Sequence, residues 1–278
     1  MKTIRLIELF AGYGSQAMAL KRAGLPFEYW RAVENDVYCV KSYNAVHGTD
    51  IKPTDIKDVK GEDLGIVDRD KYNYFMTYSF PCTDLSKAGK RQGMKKGNDT
   101  RSGLLWEVER ILKELGDNLP QFLMMENVIQ VHSKFVDDFA LWISFLDSLG
   151  YKSKWQVLNA KDYGVPQNRE RVFMISWLES GFSFQFPEPK PLTKTIKDYL
   201  EEDVAEEYYL NTDKARQLMD DLITEGKIDD STTGGGLDLW ADNPSLIDTS
   251  FTIQTHQRGV SNHRGKETGV LKVYEDKG

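Results

Sequence analysis

Short apolar runs alternate with amphipathic segments along residues 4–177. The apolar runs predict strands, and they lie at residues 4–10, 29–33, 72–78, 121–125, 155–158 and 172–177. Apolar positions at helical spacing predict helices at residues 16–23, 37–46, 102–115 and 135–149. Strands that alternate with helices are typical of an α/β fold. The pattern therefore predicts a doubly wound, mostly parallel sheet.

The composition changes after the proline cluster at residues 187–191. We expect a first domain at residues 1–190 and a second, smaller region at residues 191–278. Residues 198–230 contain twelve acids and three bases, a local charge of −9, so the rest of the chain sums to +2 within a total of −7. The overall charge therefore does not exclude a nucleic-acid partner.

The cysteine and histidine content limits the classes of protein further. Two cysteines, Cys39 and Cys82, do not form a disulfide framework, which favours a reduced, cytoplasmic setting. The four histidines show no metal-ligand spacing, so no metal site is expected. No apolar run approaches the ~20 residues that cross a bilayer, so no membrane partner is expected.

A glycine-containing turn follows the first predicted strand. Gly12 and Gly14 lie in this turn, and Glu34 ends the second predicted strand 22 positions after Gly12. This β-turn-α-β spacing suits a carboxylate that accepts both hydroxyls of a bound ribose. The motif does not distinguish nicotinamide, flavin and S-adenosylmethionine. Asp55, expected near a third strand end, could accept from an adenine amino group or simply form a turn.

Two reactive side chains are expected at the carboxyl edge of the sheet. Pro81 ends the strand at residues 72–78, so Cys82 falls on a loop at the edge where α/β sheets bind ligands. The basic, glycine-containing stretch at residues 87–101 would attract a polyanion and favour the thiolate. Glu126 follows four apolar residues, so it is expected to be desolvated and able to donate a proton. The alternatives are a buried structural thiol and a salt bridge or helix cap.

Two arginines precede the last predicted strand. Gln167, Arg169 and Arg171 would alternate onto one face of a strand that continues to residue 177. Two guanidinium groups on one face suit phosphate or base-edge recognition, although a surface strand that includes Glu170 would look similar.

Four motifs occur in a specific order: F-A-G-Y-G at residues 10–14, F-P-C-T-D-L-S at 80–86, E-N-V at 126–128 and Q-N-R-E-R at 167–171. Together they closely resemble the DNA (cytosine-5) methyltransferases, and S-K-A-G-K with G-L-L-W-E resembles the phage and bacterial members. The resemblance is strong for residues 4–177 and fades after residue 191. It implies a Rossmann-like methyltransferase sheet at residues 1–190 and a partial target-recognition region at residues 191–278.

The resemblance also implies a chemistry and a set of roles. Cys82 would add to C6 of a cytosine flipped out of double-stranded DNA, Glu126 would hold and protonate the base, and Arg171 with Arg169 would bind its O2 atom. The methyl donor would be S-adenosylmethionine. Its implied contacts are Phe10, Gly12, Gly14, Glu34, Asp55 and Leu105, and the implied DNA contacts are Ser86, Lys90, Arg91 and Gln167.

The sequence departs from the family pattern in three places. Ser15 and Thr83 replace a glycine and a glutamine that are common in the family, and both are small polar changes. The arginine-rich helix and G-N-x-V segment that usually close the family fold are absent from the sequence, so we expect a truncated or split enzyme, completed by a second polypeptide. Two other functions stay open: a tRNA cytosine methyltransferase and a non-catalytic DNA-binding or regulatory subunit.

Overall fold

The computed structural model describes residues 2–81, 102–201, 204–205, 212–229, 232, 234–238, 245–251 and 268–272. The chain divides into two compact units, one formed by residues 1–158 and 171–186 and the other by residues 159–170 and 187–278. Residues 159–170 thus group with the C-terminal part of the chain. The domain boundary after residue 190 stays a prediction.

The described residues form eleven strands and six α-helices. The strands are β1 (Thr3–Leu9), β2 (Phe27–Val33), β3 (Tyr72–Tyr78), β4 (Phe122–Asn127), β5 (Lys152–Asn159), β6 (Gln167–Asn168), β7 (Glu170–Trp177), β8 (Gly234–Asp238), β9 (Ser245–Ile247), β10 (Ser250–Phe251) and β11 (Thr268–Lys272). The helices are α1 (Ser15–Arg22), α2 (Val37–His47), α3 (Leu105–Leu115), α4 (Gln130–Ser133), α5 (Val136–Ser148) and α6 (Asp213–Thr224).

A six-stranded sheet in the order β2-β1-β3-β4-β7-β5 forms the centre of the first unit. The pairs β1–β2, β1–β3 and β3–β4 are parallel, and β7 runs antiparallel to β4. This arrangement confirms the predicted α/β fold with a mostly parallel sheet. Because parallel strands end at one edge, the segments that leave β1, β2, β3 and β4 meet there.

Helix α3 shows how the apolar pattern becomes a core. Its predicted inward positions, Leu105, Val108, Ile111, Leu112 and Leu115, are all buried. Full burial of such a side chain contributes about 1.5–3 kcal/mol, so one face of α3 is anchored firmly on the sheet. The same core cluster contains the strand residues of β3 and β4 and the buried face of α5.

The second unit has its own small sheets. Strands β11, β8 and β9 pair in that order, with antiparallel ladders, and β10 pairs in parallel with β6. Thr212 caps α6 by accepting from the backbone N–H of Ala215, and Leu222, Ile228 and Leu237 form a small apolar cluster. No helix within the described ranges is long and apolar enough to span a bilayer.

One strand prediction was wrong in its extent. Residues 167–177 form two strands, β6 and β7, with a break at Arg169. The Arg169 N–H donates to a side-chain atom, Asn159 Oδ1, at 3.0 Å, and its carbonyl accepts from Ala160 N, just beyond the end of β5, at 3.0 Å. Gln167, Arg169 and Arg171 therefore do not share one continuous strand.

Candidate active site

The loop that leaves β1 has an unusual backbone. Phe10, Gly12 and Gly14 have φ angles of 57°, 56° and 82°, all in the left-handed region where glycine is favoured. A Cβ on Gly12 would meet no atom within 4 Å, so the need for glycine there is conformational. A Cβ on Gly14 would lie 2.2 Å from His47 Nε2, so that glycine is needed for space as well. The loop is thus tightly folded and leaves Gly12 unobstructed.

Glu34 fastens this loop from the end of β2. Its Oε2 accepts from the backbone N–H of Gly12 at 2.8 Å, and its Oε1 accepts from Asp36 N at 2.9 Å. Each carboxylate oxygen can accept a second hydrogen bond. The structure therefore brings two of the predicted cofactor contacts, Gly12 and Glu34, together.

Asp55 and Leu105 lie in very different surroundings. The prediction that Asp55 lies near a strand end was wrong, since Asp55 is the N-cap of a 3-10 helix, Ile56–Asp58, and its Oδ1 accepts from Lys57 N at 2.9 Å. The turn bonds to α3 through Arg110, which donates to the carbonyls of Ile56 and Val59. The Asp55 side chain is exposed, whereas Leu105, at the start of α3, is fully buried in the core. Their roles toward a cofactor stay predictions.

Asn127 ties the end of β4 to the chain that leads to Cys82. Its Nδ2 donates to the carbonyl of Phe80 at 3.0 Å, and its Oδ1 accepts from Val128 N at 2.8 Å. Asn127 and Phe80 are 3% and 2% exposed, so this bond is shielded from water. The position of the chain two residues before Cys82 is thereby fixed. Four predicted site residues lie outside the described part of the chain: Cys82, Ser86, Lys90 and Arg91.

Glu126 and Arg171 form an ion pair at this edge of the sheet. Arg171 Nε lies 3.2 Å from Glu126 Oε1, and the two side chains are only 17% and 19% exposed. The antiparallel register of β4 and β7 places Glu126 opposite Phe173. Arg171 lies two residues before Phe173 on the same face of β7, which brings its side chain to Glu126. Two predicted catalytic residues are thus in direct contact. Gln167 and Arg169 belong to the second unit, and their roles stay predictions.

Two residues that the sequence did not single out stabilise this region: Glu8 bonds to α1 and α2, and His47 bonds to the glycine loop. Glu8 is 1% exposed and accepts from Tyr43 Oη at 2.7 Å and Ala17 N at 3.2 Å. Its burial raises the pKa of the carboxyl group. His47 Nε2 lies 2.9 Å from the carbonyl oxygen of Tyr13. A glutamate inside the apolar run of β1 was the available signal, because a buried acid needs partners.

The described residues contain no group of three or more His, Cys, Asp or Glu side chains that could hold a metal ion. The described site consists of a glycine loop bonded to the Glu34 carboxylate, the exposed turn of Asp55, and the Glu126–Arg171 pair next to Asn127, which bonds to Phe80. This combination on a mostly parallel sheet is typical of α/β enzymes whose ligands bind at the carboxyl ends of the strands.

Comparison with known proteins makes the class specific. The family model of C-5 cytosine-specific DNA methylases matches residues 4–269. The chain therefore belongs to the C-5 cytosine-specific DNA methylase family, which confirms the resemblance in the motifs.

Curated relatives agree with this assignment. The chain is 36% identical over 273 residues to the type II methyltransferase M2.ScrFI of Lactococcus lactis subsp. cremoris, covering 81% of this chain and 74% of that protein. It is 38% identical over 242 residues to the orphan methyltransferase M.SssI of Spiroplasma monobiae, covering 86% and 60%. The orphan methyltransferase M.SPRI of Bacillus phage SPR is 31% identical over 258 residues, covering 81% and 56%. The chain thus spans just over half to three quarters of these relatives.

Solved structures with the same fold include two Dnmt2 proteins. A mutant of Spodoptera frugiperda DNMT2 gives a TM-score of 0.62 at 22% identity, covering 78% of this chain and 65% of that one. The Dnmt2 methyltransferase of S. pombe gives a TM-score of 0.61 at 20% identity, covering 92% of this chain and 78% of that one. At these identities the likeness shows the Rossmann-like fold alone.

Proposed function

We propose that this chain transfers a methyl group from S-adenosylmethionine to C5 of a cytosine in double-stranded DNA, through a covalent bond between Cys82 Sγ and C6 of the base. The observation that carries the proposal is the partly buried pair of Glu126 and Arg171, 3.2 Å apart, at the sheet edge where Asn127 fixes the chain leading to Cys82. The roles proposed for Cys82, Glu126 and Arg171 follow from the membership of the chain in the C-5 cytosine-specific DNA methylase family.

The glycine loop and Glu34 fit the nucleoside part of the cofactor. Gly12 has space for a ligand to approach its backbone, and Glu34 lies beside it with an anionic acceptor already oriented by two backbone donors. A carboxylate in that position would accept hydrogen bonds from both ribose hydroxyls. The bound cofactor would supply an electrophilic methyl group on a sulfonium.

The reaction needs a nucleophile, a proton donor and a fixed base. The Cys82 thiolate would form a bond to C6 while Glu126 delivers a proton to N3, so that the electron pair of the ring becomes available at C5. C5 would then form a bond to the methyl carbon, and the electrons of the sulfur–methyl bond would leave with S-adenosylhomocysteine. Loss of the C5 proton to a general base such as water would then expel the Cys82 thiolate from C6, and N3 would return its proton to Glu126, which restores the aromatic ring.

Arg171 contributes to this sequence by its geometry. Its guanidinium orients Glu126 and can donate to the O2 atom of a base placed against the pair, because arginine has five donors in a planar fork. None of the reacting ring atoms is accessible inside a duplex, so the cytosine must be flipped into the site. The proposal also includes contacts with the DNA by five further residues: Ser86, Lys90, Arg91, Gln167 and Arg169.

The test is transfer of tritium-labelled methyl groups from S-adenosylmethionine to unmethylated duplex DNA, with tRNA as the alternative acceptor. We expect label in the duplex and none in tRNA. The matched control is a duplex in which every cytosine is already 5-methylcytosine, which offers no C5 proton to replace. Label in tRNA alone would overturn the DNA proposal. The second polypeptide expected from the sequence finds no support in the comparisons and is not part of the proposal.

A further inference from the structure

Arg110 connects α3 to the turn that Asp55 opens. Its Nη2 donates to two backbone carbonyls of that turn, Ile56 O at 3.1 Å and Val59 O at 2.8 Å. Ile56 is the first residue of the 3-10 helix that follows Asp55, and Val59 is its C-cap. One guanidinium nitrogen therefore holds both ends of this helix.

The same guanidinium is oriented by two carboxylates of its own helix. Arg110 Nε donates to Glu107 Oε2 at 2.8 Å, and Nη1 donates to Glu114 Oε1 at 2.9 Å. Positions i−3 and i+4 lie on one face of a helix, so both carboxylates can reach Arg110 without distorting α3. Held on two sides, the guanidinium has little freedom to turn away from Ile56 and Val59.

Glu114 makes a second connection between α3 and the following stretch of chain. Its Oε2 accepts from Gly61 N at 2.8 Å. Gly61 is buried, and a Cβ there would lie 2.9 Å from Glu114 Cβ and 3.0 Å from Leu115 N. The backbone at residue 61 thus rests directly on α3, which limits how far the preceding turn can move.

The Asp55 side chain is exposed and bonds to Lys57 N within its own turn, so its direction follows the turn as a whole. On the N-terminal side, Thr54 N donates to the Glu34 carbonyl at 2.8 Å, so the contacts of Arg110 hold the other, C-terminal part of the turn. The turn is held to the core by the buried side chains of Ile56 and Val59, and its backbone carbonyls are held by Arg110. Loss of Arg110 would leave the Val59 carbonyl without this donor and the Ile56 carbonyl with only its bond from Val59 N, which would allow the turn to tilt about its apolar anchors.

We propose that Arg110 is a positioning residue for cofactor binding, which fixes the turn at residues 55–59 so that the Asp55 carboxylate faces the adenine of the cofactor. The inference rests on the proposed function, because it takes Asp55 as a cofactor contact. It adds a residue that does not touch the cofactor and that acts only through the direction of Asp55.

Arginine is the residue type that this role requires. A lysine at position 110 would keep the charge but offer one nitrogen in place of a planar fork, so it cannot reach two carboxylates and two carbonyls at once. We expect Arg110→Lys and Arg110→Met each to weaken S-adenosylmethionine binding about tenfold, the size of one hydrogen-bonding contact to a charged group. The KM for S-adenosylmethionine should rise while kcat at saturating cofactor stays within about twofold.

A double-mutant cycle separates positioning from general destabilisation. The variants are Arg110→Met, Asp55→Ala and the pair, with affinity for S-adenosylmethionine measured by titration calorimetry on samples shown to be folded by thermal unfolding. If Arg110 acts through Asp55, the double variant should bind no more weakly than Asp55→Ala alone. Additive losses would overturn the proposal. Arg110→Lys serves as the second variant if Arg110→Met does not fold.

Arg31 offers a matched control in the same unit. It also donates to backbone carbonyls of a nearby loop and of its own strand, Asp63 O at 3.0 Å and Trp30 O at 2.8 Å, but it does not contact the turn of Asp55. Arg31→Met should bind S-adenosylmethionine like the wild type. Wild-type affinity in Arg110→Met or Arg110→Lys would overturn the inference and leave the proposed function intact. A wild-type chain that binds no S-adenosylmethionine would contradict both.

Discussion

Glu34 gives the most quantitative prediction about the cofactor site. Replacing it with alanine removes the acceptor for Gly12 N at 2.8 Å and for Asp36 N at 2.9 Å, along with both acceptors for the ribose. Hydrogen bonds to a charged group contribute about 1.5–3 kcal/mol, so binding of S-adenosylmethionine should weaken roughly 10- to 150-fold. Loss of the Gly12 contact also frees the glycine loop, so we expect the loss of affinity to lie toward the upper end of this range.

The Glu34→Gln variant tests the geometry more finely. Glutamine keeps one acceptor oxygen but turns an NH₂ group toward one of the two backbone donors, Gly12 N or Asp36 N. Its affinity should therefore fall between that of the wild type and that of Glu34→Ala. A stronger loss in Glu34→Gln than in Glu34→Ala would show that the donor clash, and not the lost acceptor, dominates.

The assay is titration calorimetry with S-adenosylmethionine and S-adenosylhomocysteine. Both ligands contain the ribose, so both should lose affinity by a similar factor. Asp50→Ala is a suitable control, since Asp50 is an exposed carboxylate, 84% accessible, that pairs only with Lys52 in the described structure. Unchanged binding by Glu34→Ala would refute the assignment of the glycine loop as a cofactor site.

Three further variants test the rest of the site. Glu126→Gln keeps the shape of the side chain but removes the donatable proton, so methyl transfer should fall about 100-fold or more while S-adenosylmethionine affinity holds; an unchanged rate would leave Glu126 as a structural partner of Arg171. Asn127→Ala leaves the buried carbonyl of Phe80 without its donor, and urea unfolding should show a loss of about 1–3 kcal/mol; no loss would mean that the Asn127 contact contributes nothing. Glu8 has its pKa raised by burial, so its contribution to stability is present at acid pH and is lost as the pH rises through the folded-state value. The free energy of unfolding should therefore depend less on pH in Glu8→Gln than in the wild type between pH ~4 and ~8, and identical slopes would contradict this reading.

The local pattern predicts the six strands of the central sheet, the buried face of α3 and the placement of Glu34 near the glycine loop. These features follow from hydrophobic periodicity and from positions at strand ends, which are properties of neighbouring residues in the sequence. The contact between Glu126 and Arg171 could also be predicted from the sequence. Both residues were assigned to one site, and a salt bridge at Glu126 was among the alternatives.

The contacts that support the site could not be predicted in the same way. Asn127 donates to the carbonyl of Phe80, and Arg110 donates to those of Ile56 and Val59. Every residue has a backbone carbonyl, so such a partner leaves no mark in the sequence. The break at Arg169 has the same origin, because it depends on a side chain ten residues away, Asn159.

The central claim is that Cys82 forms a covalent bond to C6 of the target cytosine. The direct measurement is incubation of the chain and S-adenosylmethionine with duplex DNA that contains 5-fluorocytosine, a base whose C5 cannot lose a proton, followed by a denaturing gel. The account predicts a denaturant-resistant complex with the wild type and none with Cys82→Ser. A complex that survives Cys82→Ser, or a wild-type chain that methylates duplex DNA without forming the complex, would contradict it.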